Sequence, residues 1–157
     1  MRINESGQSL IEVLIALAAS VAVVSAIAVT VITSLSNAEF TKSQNLATQY
    51  SREGMEIVRQ IAKNNWTDFL NYKNVNYCLN KGSITPTTMV GLNCGKNIDN
   101  IFDRQLTIDP KSLRCISSIE ITSTVLWTDS KCQTGDILCH QIKLRSCLAD
   151  INSVKGP

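Results

Sequence analysis

Charged side chains stop at Glu12 and do not resume until Glu39, so Val13–Ala38 is an uninterrupted uncharged stretch dominated by Val, Ile, Leu and Ala. A run of this length exceeds the ~20 apolar residues that span a bilayer. It contains neither Pro nor Gly, so nothing in it breaks a helix. Its many β-branched residues would weaken a helix in water, but in lipid the backbone must satisfy itself internally and helix is the outcome.

Helical periodicity continues beyond the apolar run. Phe40, Ala47, Tyr50, Gly54, Ile57 and Ile61 form one stripe, widened by Leu46 and Val58. The remaining faces carry Glu39, Lys42, Arg52, Glu53, Glu56, Arg59 and Lys63. The pattern predicts one helix from about Ser9 to about Lys63, apolar all round at first and amphipathic later, ending at Asn64-Asn65. Gly54 costs about 1 kcal/mol against Ala within a helix, and its place in the stripe reads as a close approach to a packed sheet.

From Trp66 to Gln105 the Asn, Gly and Pro content predicts loops. Phe102–Ile108 reads as a strand stopping at Asp109-Pro110. Ile119, Ile121, Val125 and Trp127 alternate with Glu120, Thr122, Thr124 and Thr128, the period of a half-buried strand. Leu138, Ile142, Leu144 and Leu148 alternate with Gln141, Lys143 and Arg145 in the same way, and the turn-rich link between these runs has hairpin character.

A formal net charge of +2 with 18% charged residues carries no strong electrostatic signal for a partner. The six cysteines, Cys78, Cys94, Cys115, Cys132, Cys139 and Cys147, all lie beyond the apolar run. An even set confined to the part beyond a membrane helix suits an oxidising compartment. Six cysteines allow 15 connectivities. Cys78–Cys94 and Cys132–Cys139 suit local loops and leave Cys115–Cys147, although the strand faces put Cys115 with the apolar set and Cys147 with the polar one.

No catalytic constellation stands out, so no enzyme activity and no cofactor are expected. The single histidine, His140, falls on the apolar face of its strand, where a packed imidazole is the ordinary outcome. Cys139 and His140 as neighbours in a strand would point to opposite faces, which argues against a Cys/His nucleophile pair. The set Cys132, Cys139, His140 and Cys147 lacks the close pairs of structural zinc sites, so no metal is assigned. Lys81, Lys96, Lys111, Arg114, Lys131, Lys143 and Arg145 are scattered among acids rather than gathered into the basic stripe of a nucleic-acid footprint.

The informative motif opens the apolar run: Gly7-Gln8-Ser9-Leu10-Ile11-Glu12-Val13, behind a polar start containing Arg2. A carboxylate at the edge of a membrane helix is costly, with insertion scales giving about 2.5–3.5 kcal/mol for an acid at mid-bilayer. Its natural partner is a cation created by processing: cleavage after Gly7 would give Gln8 a free α-amino group. In these residues the chain resembles the type IV pilin superfamily, specifically over about residues 1–35 and more loosely through the amphipathic helix. The Leu126-Trp127-Thr128-Asp129 strand end also looks like the hairpin of many minor-pilin heads.

The resemblance implies that Gly7 is the cleavage-site residue for a prepilin peptidase, that Gln8 is the new N-terminus, usually methylated in this family, and that Glu12 is the assembly carboxylate. Two departures are that Gln8 stands where Phe is usual and that Val29 stands where many major pilins have Pro; the second points to a minor subunit. Ala18, Ala22 and Ala26 form a small-residue stripe compatible with close helix contacts. A secretory signal cleaved near Ala16-Leu17-Ala18 is disfavoured by the apolar run beyond it and by Glu12 within it; a plain single-pass anchor would give Glu12 no role.

The expected architecture is α+β and pilin-like, with a long N-terminal helix packed against a small antiparallel sheet. Residues 1–7 form a leader, 8–38 a transmembrane and assembly helix, and 39–157 the head, including the amphipathic half of the helix. The expected function is structural: a minor pilin or pseudopilin of a type IV pilus-like filament, partnered by other pilin subunits, the prepilin peptidase and the membrane assembly platform. It would sit in the bacterial cell envelope as a single-pass protein with an extracytoplasmic head, then in an extracellular or periplasmic filament. The alternatives are a DNA-binding subunit of an uptake filament and a membrane-anchored extracellular binding domain.

Overall fold

The computed structural model describes residues 5–72, 75–116, 118–133 and 138–150, with side chains from residue 10 onward. The element order is α1 (Glu5–Asn64), α2 (Trp66–Phe69), β1 (Asn76–Cys78), β2 (Thr87–Thr88), β3 (Asp103–Asp109), β4 (Ile119–Trp127) and β5 (His140–Leu148). This is an α+β layout: one long N-terminal helix and a five-stranded antiparallel sheet of order β2-β1-β3-β4-β5. The chain divides into two compact units, Met1–Thr41 and Lys42–Pro157.

The first unit holds the apolar part of α1. The described helix already includes Glu5, ahead of the start at about Ser9 that the sequence pattern predicts, and no proline stands between them. Every side chain from residue 10 to residue 35 is exposed. Within this stretch the hydroxyls of Ser20, Ser25, Thr30 and Thr33 donate to the carbonyls of Ala16, Val21, Ile27 and Val29 at 2.8–2.9 Å. These four hydroxyls are thus satisfied inside the helix, which is what an apolar surrounding requires of them.

In the second unit the remainder of α1 packs on the sheet. Its buried positions are Ala47, Ser51, Gly54, Met55, Val58 and Ala62, while Tyr50, Ile57 and Ile61 are only half-buried. The buried line is therefore turned by about one position from the stripe of large side chains. Closest approach is made by small residues, and the large ones flank it. A Cβ on Gly54 would lie 2.9 Å from Ser123 Oγ and 3.2 Å from Arg104 Cδ. Ser123, the small polar residue on the buried face of β4, is the other half of this contact, and its carbonyl accepts from Ser51 Oγ at 3.0 Å.

Met55, Val58, Ala62, Phe69, Tyr77, Leu79, Leu106, Ile108, Ile119 and Ile121 form the main core. Trp127, Phe102 and Tyr50 form an aromatic row beside the start of β3 and the end of β4, with centroids 5.4–6.2 Å apart. Asn65 ends α1 by capping α2, its side-chain oxygen accepting from the Asp68 amide at 3.1 Å. The segment 66–105 is not all loop. It contains α2 and the short β1 and β2, whose two or three residues are too few to show a period of two. Strands β4 and β5 follow the predicted alternation, with Trp127 opposite His140 and Ile121 opposite Ser146.

Candidate functional site

Two regions carry the residues singled out by sequence. The first is the start of α1. Gly7 and Gln8 lie in this helix, where side chains fall outside the described residues, as do residues 1–4 of the expected leader altogether. Glu12 is exposed and makes no ion pair among the described residues. It is followed by the wholly exposed apolar surface of Val13, Leu14, Ile15, Leu17, Val21, Val23 and Val24, each 57–66% accessible. Among the described residues nothing buries this surface. A helix of this length and apolar composition could cross a membrane.

The second region is the head, where all six cysteines are paired: Cys78–Cys94, Cys115–Cys147 and Cys132–Cys139. The conflict of faces raised by Cys115 disappears because Cys115 precedes β4 rather than belonging to it. It sits buried in the β3–β4 connection, which folds back so that its sulfur meets exposed Cys147 on β5. Glu120, opposite Cys147 in register, lies on that same face. It accepts from Ser112 Oγ and faces Arg114 and Arg145 at 3.7 Å each.

At the other end of β4 and β5, His140 Nε2 lies 3.0 Å from Asp129 Oδ1. The His140 ring stacks obliquely on Trp127, with centroids 5.4 Å apart. Burial alone would raise the Asp129 carboxyl. The Lys131 backbone N–H, and then the hydrogen bond and charge of His140, hold it below the ordinary carboxylate value. Cys139 also precedes its strand, so the opposite-faces argument does not govern it. Asp129, Cys132, Cys139 and His140 offer donor atoms all within 4.8 Å of one another. Asp129 takes the place that Cys147 held in the sequence-based set. The parity of the hairpin could have found it, since Asp129 stands just beyond the Trp127–His140 pair.

Arg104 was not singled out by sequence, yet its side chain gathers four polar partners. Its guanidinium is fully buried and donates to the carbonyls of Leu79, Tyr50 and Asn80 at 3.0, 3.0 and 3.1 Å, with Glu53 at 3.2 Å. Burial lowers its pKa, and the Glu53 charge opposes that shift. Asp99, bonded by Lys81 and by Tyr50 Oη, has its carboxyl lowered by those two partners in that order.

No family model, curated protein or solved structure matches this chain.

Proposed function

We propose that the chain is a structural subunit, a minor pilin or pseudopilin, of a type IV pilus-like filament in the bacterial cell envelope. The observation that carries this reading is the exposed uncharged helix entered by a lone carboxylate, Glu12, four residues beyond Gln8. A membrane would cover that surface before assembly, and neighbouring subunits would cover it afterwards. Cleavage after Gly7 by a prepilin peptidase would supply the amine that a buried Glu12 needs from an adjacent copy. The three disulfides suit a head exposed outside the cytoplasm.

The head also favours a structural role over nucleic-acid binding. Lys81, Arg104, Arg114 and Arg145 each face a carboxylate at 2.5–3.7 Å. Lys81 and Arg104 are each matched by a carboxylate and Arg114 and Arg145 share Glu120, so four cations meet three anions, whereas a DNA footprint needs cations that are free to meet phosphates. A plain membrane anchor remains the competing explanation of the apolar helix, and processing separates the two. Mass spectrometry of the chain recovered from envelope material should find an N-terminal peptide beginning at Gln8. A chain retaining Met1, or beginning at Ala19, would overturn the pilin reading.

A further inference from the structure

We propose that opening the Cys132–Cys139 disulfide converts the β4–β5 hairpin end into a tetrahedral site for Zn2+, with Asp129, Cys132, Cys139 and His140 as its four ligands. This goes beyond filament assembly and does not depend on it. The ligand set is assembled by the strand register: Trp127 pairs with His140, so the residues flanking that pair, Asp129 on one side and Cys139 on the other, are brought together. Cys132 is returned to the same place by a turn whose amide N–H bonds the Asp129 carbonyl at 3.3 Å.

The geometry is close to what zinc needs. Zinc at ~2.0–2.3 Å from its ligands spaces tetrahedral donor atoms roughly 3.3–3.8 Å apart. Asp129 Oδ1 lies 3.0 Å from His140 Nε2 and 3.8 Å from Cys132 Sγ, and all four donors fall within 4.8 Å. The main displacement required is the separation of the two sulfurs once their bond is broken.

The surroundings are arranged for a thiolate at Cys132. Its Sγ accepts from Thr128 Oγ1 at 3.2 Å and from the Asp129 amide at 3.3 Å, the kind of outer hydrogen bonds that orient metal ligands. The Trp127 ring against His140 holds the imidazole in place. Ligation by two thiolates beside the Asp129 carboxylate would crowd three negative charges together. A divalent cation removes that repulsion.

The chemistry balances. A dithiol or phosphine reductant supplies two electrons to the disulfide; with a dithiol, its own sulfurs become the new disulfide and both cysteines become thiols. Zn2+ then replaces the two thiol protons, which pass to solvent, and His140 binds as neutral imidazole. The metal ties Cys132 to Cys139 as the disulfide had, so the hairpin end is closed in either redox state.

The full chain in detergent, reduced without oxygen and titrated with Co2+ and then Zn2+, tests this. One Co2+ per chain should bind with the intense absorption of a tetrahedral site and a thiolate-to-cobalt charge-transfer band, and Zn2+ should displace it. The oxidised chain should give neither band. Cys132→Ser/Cys139→Ser should abolish the signal after reduction, and His140→Gln, with its three disulfides checked before reduction, should weaken binding by more than the roughly tenfold that losing an outer hydrogen bond costs. An unchanged signal in the double serine variant would assign the metal to the other cysteines. Octahedral cobalt spectra, or no binding by the reduced parent, would overturn the proposal directly.

Discussion

Arg104 shows how much of the head rests on one side chain. Three carbonyls, from Tyr50 on α1 and from Leu79 and Asn80 after β1, converge on its guanidinium. With the Glu53 carboxylate they make four acceptors, which a planar fork with five donors can serve and the three donors of an ammonium cannot. Replacement by Met fills part of the volume but leaves carbonyls without donors, each costing about 1–3 kcal/mol where water cannot reach. Arg104→Met should lower the stability of the detergent-solubilised chain by about 2–4 kcal/mol, read from denaturant unfolding by tryptophan fluorescence. Arg104→Lys should recover only part of the loss. Stability within 0.5 kcal/mol of the parent for Arg104→Met would show that the carbonyls find other donors. The signal for Arg104 was present in the chain: it stands two residues before Leu106 and four before Ile108, on the strand face that meets the helix. A cation at such a position reads as the solvated start of a strand until the helix is known to lie over it.

At the scale of elements, legibility followed length. The apolar run, the amphipathic continuation of α1 and the two nine-residue strands each repeat their pattern several times, so their faces are readable from sequence. Strands β1 and β2 are held by partners that the local sequence does not contain, namely β3 and the Cys78–Cys94 bond. The buried line of α1 was displaced because apolar size marks flanking contacts better than it marks closest approach, which goes to Ala47, Ser51 and Gly54. The disulfides differ in what they add to these elements. Cys115–Cys147 closes a separation of 32 residues and fastens the edge strand β5, whereas Cys132–Cys139 closes a separation of 7. Chain entropy makes the longer closure worth about 1 kcal/mol more. Cys115→Ala/Cys147→Ala should therefore destabilise the oxidised chain by about 1 kcal/mol more than Cys132→Ala/Cys139→Ala, measured by unfolding without reductant. The reverse order would mean that the hairpin end, rather than the edge strand, limits the head's stability.

For the whole molecule, the division of labour between its two units makes Glu12 separable from folding. The unit Met1–Thr41 contains Glu12 and the exposed apolar helix, while all of the main core and all three disulfides lie in Lys42–Pro157. Glu12 therefore contributes nothing to the packing of the head. Its carboxylate is a liability on an apolar helix unless another charge meets it, because an unpaired ion in a low dielectric is penalised by several kcal/mol. In the proposed filament that charge is the Gln8 amine of a neighbouring subunit. Replacing Glu12 with Ala should leave the chain inserted in the membrane, cleaved after Gly7 and fully disulfide-bonded, while sharply reducing its recovery in sheared filaments. Glu12→Asp keeps the charge with a shorter reach and should retain more incorporation than Ala. The comparison uses immunoblots of sheared and membrane fractions, with the N-terminal peptide and non-reducing mobility checked in each variant. Loss of cleavage or of disulfides in Glu12→Ala would assign the residue to processing or export instead. If that variant enters filaments as efficiently as the parent, the carboxylate has no part in assembly, and a simply anchored domain becomes the better account of the apolar helix.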